Sequence, residues 1–252
     1  MKKIAILNQK GGSGKTTTTV NLGAALSFLE KRILLIDIDP QAHLTQSLFG
    51  NRTGGINKSI YELLKGASSI EDIIIERGRL DVMPSSLDLA AAELEFSSIP
   101  GREFLLKDLL EDQNNHDYCF IDCPPSLGLL TIMALTAARK IIIPLQVEFL
   151  ALHSLSKLME TISLIKKRIN PSLELDGVLA TRFDGRKRLN REIIEKARAY
   201  FKDRFYKTII RENISLAEGP SFGKTIFEYL PKSHGAEDYM SLAKEFLRRG
   251  KK

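Results

Sequence analysis

The run Lys10-Gly11-Gly12-Ser13-Gly14-Lys15-Thr16-Thr17 limits what this chain can fold into more than any other stretch. Before it, Ile4-Ala5-Ile6-Leu7 reads as a strand; after it, Lys15 to Glu30 reads as a helix. A strand that enters a helix through glycines lets backbone N–H groups converge without side chains in the way, and the helix amino terminus adds a favourable dipole. Both features suit an anion. Lys15 supplies a cation for terminal phosphates, and the Thr16 hydroxyl suits Mg²⁺.

Two residues depart from the general phosphate-loop pattern. Gln9 stands where that pattern has a glycine, five residues before Gly14, and a second lysine, Lys10, lies inside the loop. This is the signature of the deviant Walker A group, in which the extra lysine resembles an arginine finger and contacts phosphates across an ATP-sandwiched dimer. Charge stabilisation of this kind carries much of phosphoryl transfer. The resemblance therefore implies that dimerisation and hydrolysis are linked.

Carboxylates follow at the expected places. Ile33 to Ile36 reads as the second strand and leads into Asp37-Ile38-Asp39-Pro40-Gln41. Asp39 is the candidate for orienting the attacking water, and Asp37 could support the Mg²⁺ water shell. A later apolar strand, Tyr118 to Ile121, ends in Asp122 before Cys123-Pro124-Pro125-Ser126; Asp122 fits a residue that holds the metal through water. Cys119 and Cys123 flank this strand end without the further ligands that zinc or an iron–sulfur cluster needs, and read as buried thiols. His43, His116, His153 and His234 show no metal-ligand spacing.

The rest of the chain repeats this alternation. Leu80–Met83, Ile141–Ile143 and Gly177–Ala180 read as strands, and Tyr206–Ile210 as a late one. Leu87 to Phe96, Arg102 to Asp112, Leu127 to Ala138, Leu152 to Ile169 and Leu189 to Phe201 read as helices. The expected fold is α/β, a P-loop NTPase with a mostly parallel, doubly wound sheet flanked by helices on both faces. With 43% hydrophobic residues among 252, one domain spanning residues 1–252 is expected. No stretch has the roughly 18 to 20 apolar residues of a membrane span, and no signal-peptide pattern precedes the first strand, so a cytoplasmic protein is expected. The tail Arg248 to Lys252 is expected to fray.

These motifs, with Phe183-Asp184-Gly185-Arg186 and Gly223-Lys224-Thr225-Ile226-Phe227-Glu228-Tyr229, resemble the ParA/Soj family of partition ATPases almost end to end. The resemblance implies ATP and Mg²⁺ as cofactors, an ATP-dependent homodimer that binds non-specific DNA on the nucleoid, and a ParB-type activator that stimulates hydrolysis. It also suggests an adenine contact from the Arg211-Glu212-Asn213 loop. The larger plasmid members carry an amino-terminal helix-turn-helix extension, which is not expected here.

DNA binding has separate support in charge. Arg182 to Arg211 carries eleven basic residues against four acidic ones, more than the whole formal net charge of +6. Lys and Arg that neutralise phosphates supply the sequence-independent part of DNA affinity. Arg186, Lys187, Arg188, Arg191, Lys224 and Lys232 are the candidates, while Ser215 stands where many relatives carry an arginine associated with DNA. A rival reading, a MinD-like protein on a membrane, would use Tyr239, Leu242, Ala243, Phe246 and Leu247 as an apolar stripe beside Arg248 and Arg249. Such a stripe more often packs on its own domain, so stable membrane association is not expected.

Overall fold

A computed structural model describes residues 1–148 and 151–250. Six strands form one all-parallel sheet: β1 (Lys2–Ile6), β2 (Ile33–Asp37), β3 (Leu80–Met83), β4 (Tyr118–Asp122), β5 (Lys140–Gln146) and β6 (Glu174–Thr181). Their spatial order is β3-β2-β4-β1-β5-β6. The β2 strand is buried at every residue, as a strand covered on both faces must be, and this explains its continuous apolar run. The register pairs Ile6 with Asp122 and Asp37 with Asp122, so β1, β2 and β4 deliver their carboxyl ends to one level of the rim.

The main helices are α1 (Lys15–Phe28), α2 (His43–Phe49), α3 (Leu129–Ala137), α4 (Ala151–Arg168), α5 (Arg188–Phe201) and α6 (His234–Arg249). Gly23 of α1 allows close seating on the sheet: a Cβ there would stand 2.8 Å from Leu35 Cδ2 and 3.1 Å from Leu80 Cδ1. Against the other side of α1 lies α6, whose Tyr239, Leu242, Ala243 and Phe246 are buried in the apolar cluster that contains Val20, Leu22 and Leu26. The stripe weighed as a membrane face thus lies in the core except for the partly buried Leu247, and its large apolar side chains each contribute about 2 kcal/mol of burial. Among the described residues, no helix is long and apolar enough to cross a membrane.

Several expected boundaries move, each for a local reason. Leu87 to Phe96 divides into a 3₁₀ turn (Leu87–Ala91) and one α-turn (Ala92–Glu95), and Arg102 to Asp112 into a 3₁₀ turn (Arg102–Phe104) and a short helix (Leu105–Leu109). The α3 helix starts at Leu129 rather than Leu127, where the Glu93 carboxylate accepts the Leu129 N–H at 2.9 Å. The expected strand Tyr206–Ile210 does not form a ladder. Tyr206 N and Ile210 N donate to Val178 O and Ala180 O of β6, but between them the N–H groups of Lys207 and Thr208 turn to the Glu245 carboxylate, each at 2.8 Å. The tail is also more ordered than expected. Arg249 bonds Phe205 O and Asp176 O and stacks 4.1 Å over the Tyr206 ring; Lys251 and Lys252 lie outside the described residues.

Candidate functional site

The β1 strand stops hydrogen bonding to β5 as a ladder after Leu7, and the Asn8 side chain takes over, donating through Nδ2 to Pro144 O at 2.6 Å. Its Oδ1 accepts the Lys10 N–H at 3.0 Å, which turns the chain into the loop. Gly12 and Gly14 then adopt left-handed backbone, φ 72° and 88°, a conformation glycine enters without a Cβ penalty. On the far side Thr181, the last residue of β6, donates its hydroxyl to Ser13 O at 2.8 Å. The loop is therefore held from β5 and from β6, strands distant in sequence.

What this loop offers is a set of unmet donors. Helix α1 has no side-chain cap and no acidic residue in its first turn, so its opening N–H groups are free to meet an anion. Lys15 is buried, and its ammonium forms no ion pair among the described residues. A Cβ on Gly11 would meet nothing within 4 Å, so space lies above the loop. Residues 11, 12 and 14–17 form the floor of an open cleft of about 940 Å³ whose walls include Asp39, Thr181, Arg182, Arg211, Asn213 and Ile214. Backbone amides, a buried cation and an uncrowded cradle together fit a polyphosphate.

The carboxylates meet beneath this floor. Asp122 Oδ2 accepts from Thr16 Oγ1 at 2.6 Å, and Oδ1 accepts from Thr19 Oγ1 at 3.1 Å. Burial, and then the neighbouring Asp37 carboxylate, push Asp122 up to about 7. Asp37 is also fully buried and is raised to about 6, chiefly by burial, although it accepts both the Thr45 N–H (2.9 Å) and the Thr45 hydroxyl (2.7 Å). Two paired acids short of positive charge, with a hydroxyl alongside, form an oxygen-only donor set that suits a hard cation such as Mg²⁺. Asp39, by contrast, reaches the cleft wall; its Oδ1 accepts the Gln41 N–H at 3.0 Å, fixing the turn before α2.

The structure thus gathers Gly11, Gly12, Ser13, Gly14, Lys15, Thr16, Thr17, Asp37, Asp39 and Asp122 at one rim. Lys10 behaves differently: it is not part of its own cleft lining, and its half-exposed ammonium pairs with Glu148. Arg211 lines the cleft but commits its guanidinium to Asp238 (2.6 Å) and Glu237 (3.1 Å) at the start of α6. Asn213 Oδ1 accepts the Ser215 N–H at 2.9 Å. Among the basic candidates, Arg186 and Lys187 pair with Asp184, holding its carboxyl well below the usual range, and Arg188 pairs with Glu192. Arg191 lies on the same α5 end, whereas Lys224 sits beside Gly223, which packs on Gly50, and Lys232 precedes α6. Ser215 is buried, away from solvent.

Four contributors were missed from sequence. Thr19 lies three residues after Thr16, a helical spacing that could have shown it. Thr45, Glu148 and Thr181 gave no such signal, because they reach the site from α2, the loop after β5 and the end of β6.

A family model described as an AAA domain matches residues 1–175. The chain is 48% identical over 254 residues to the sporulation initiation inhibitor protein Soj of Bacillus subtilis, covering 99% of both chains. Among solved structures, it is similar to cobyrinic acid a,c-diamide synthase from Mycobacterium smegmatis with bound ADP and magnesium, at 34% identity and TM-score 0.84. That match covers 100% of this chain and 96% of the other. It is also similar to a plasmid partition protein of Borrelia burgdorferi bound to AMPPNP, at 30% identity and TM-score 0.81, covering 99% and 98%.

Proposed function

The chain belongs to the Soj/ParA family of P-loop ATPases, and from that premise we propose that it drives chromosome or plasmid partition as an ATP-switched dimer on DNA. Lys15 and the α1 amides would hold the terminal phosphates of ATP in the loop. Thr16 would hold Mg²⁺, with Asp122 acting through water and Asp37 behind it, and the ion would supply charge stabilisation at the terminal phosphates. Asp39 orients the attacking water. Arg211 and Asn213 flank the base, and a ParB-type partner stimulates hydrolysis, which returns monomers to the cytoplasm.

The observation that carries this reading is the position of Lys10. A lysine within a phosphate loop that stays outside its own cleft is suited to the phosphates of a second copy, and this makes the site half of a dimeric one. The burial of the α6 stripe supports DNA over a membrane as the surface that the dimer binds. The basic end of α5, with Lys224 and Lys232, supplies the phosphate contacts.

The test is a titration of random-sequence duplex DNA with ATP, with ADP and without nucleotide, across a salt series. Binding is expected with ATP alone, and its affinity should fall at least about a hundredfold between 50 and 200 mM salt. Equal binding in all three nucleotide conditions would remove the switch from the proposal, and a flat salt response would remove phosphate contact.

A further inference from the structure

Immediately after the threonine that anchors the loop, Arg182 takes φ 52°, left-handed backbone that a side-chain-bearing residue seldom adopts. Its neighbours impose this conformation. Thr181 is fixed to Ser13 O and accepts the Val147 N–H, Phe183 N donates to Ile210 O at 3.1 Å, and Glu212 N donates to Phe183 O at 2.9 Å. The fold spends free energy to hold an arginine where glycine would sit without strain. The result is a guanidinium over the phosphate loop: Arg182 Nη1 lies 3.9 Å from where a Cβ on Gly12 would stand, in the wall of the cleft whose floor holds Lys15 and Thr16. Its carboxylate partner is Glu212, at 3.5 Å, with both side chains about half exposed. A pair so long and so wet holds the arginine weakly.

We propose that Arg182 is a phosphate-binding residue of the nucleotide site, released from Glu212 to donate its N–H groups to a phosphate oxygen of bound nucleotide. The proposal rests on the nucleotide reading above and adds a third cation to Lys10 and Lys15. Arginine suits the task because its planar fork binds phosphate with two parallel hydrogen bonds and keeps its charge at any working pH.

Arg182→Gly and Arg182→Asn both tolerate left-handed backbone, so each should fold with a nucleotide-free Tm no more than about 2 °C below wild type. Dissociation constants for ADP and for a non-hydrolysable ATP analogue, measured by equilibrium titration, should rise about tenfold in both variants. A rise for both nucleotides places the contact on the inner phosphates, and a rise for the ATP analogue alone places it on the terminal one. Glu212→Gln, which frees the arginine, should bind nucleotide at least as tightly as wild type. Unchanged affinities in Arg182→Gly and Arg182→Asn would overturn the proposal. So would an equal loss in Glu212→Gln, because the pair would then be structural. If wild type itself binds neither nucleotide, it is the nucleotide reading that fails.

Discussion

Replacing Asp122 by Asn should make the metal-free, nucleotide-free protein more stable at pH 8 and make its stability fall less steeply between pH 5 and 8. The carboxyl has an ordinary value of 3.8 and stands at about 7 in the fold, raised by burial and then by Asp37. Between those values the folded state binds more protons than the unfolded one, so stability falls as pH rises, levelling only above about 7. One group moved that far costs the fold on the order of 4 kcal/mol at pH 8, against about 1.5 kcal/mol at pH 5. Asn removes the ionisation and can still accept from Thr16 or Thr19, so a net gain of about 1 to 3 kcal/mol at pH 8 is expected once an imperfect hydrogen bond is discounted. The gain should shrink towards zero at pH 5. Asp37 keeps a residual slope of the same sign in the variant, centred near pH 6 and below. Asp184, depressed to about 2, acts only at pH values below its ordinary 3.8. Urea unfolding with EDTA at pH 5, 6, 7 and 8 reads the effect directly. A wild-type stability that is level or rising from pH 5 to 7 would refute the argument that these acids are buried without enough compensating charge.

Three further outcomes follow from the geometry. Asp39→Ala should hold ATP but hydrolyse it about a hundredfold more slowly and accumulate as dimer in size-exclusion chromatography; prompt return to monomer would count against its water-orienting role. Lys10→Ala should bind ATP within a few-fold of wild type and lose partner-stimulated turnover by about a hundredfold or more, as removal of a charge stabiliser does. Normal stimulation of that variant would end the assignment across the dimer. Gly23→Ala forces a methyl into Leu35 and Leu80 and should cost about 1 to 3 kcal/mol, read as a lower urea midpoint at unchanged slope.

The phosphate loop, Asp37, Asp39 and Asp122 were legible in the sequence because each lies at a strand's carboxyl end, where a short apolar run meets a polar residue. Local pattern is enough to mark such junctions, and the parallel register then brings them together. The supports were not legible. Glu148 approaches Lys10 across 138 residues of chain, and Thr181 approaches Ser13 across 168, distances over which no periodicity speaks. The strand expected at Tyr206–Ile210 failed for a related reason. Its β-rich composition is genuine, but a carboxylate of α6 captures two of its amides, and only the packed fold shows that Glu245 is in reach. Charge was legible as a total and misleading as a list: of the candidates near α5, Arg186, Lys187 and Arg188 are each partly neutralised by a nearby acid.

That same interrupted segment has a consequence for assembly. Beyond β6, Tyr206 and Ile210 take up the Val178 and Ala180 carbonyls that an open edge would offer, and beyond β3, Ile75 exchanges both hydrogen bonds with Val82 in an antiparallel bridge. Each flank of the sheet is therefore partly sealed against a seventh strand, the route by which α/β proteins stack irreversibly. The dimer proposed above would then meet through the loop-bearing rim, where its association would depend on what the rim holds and end when that is released.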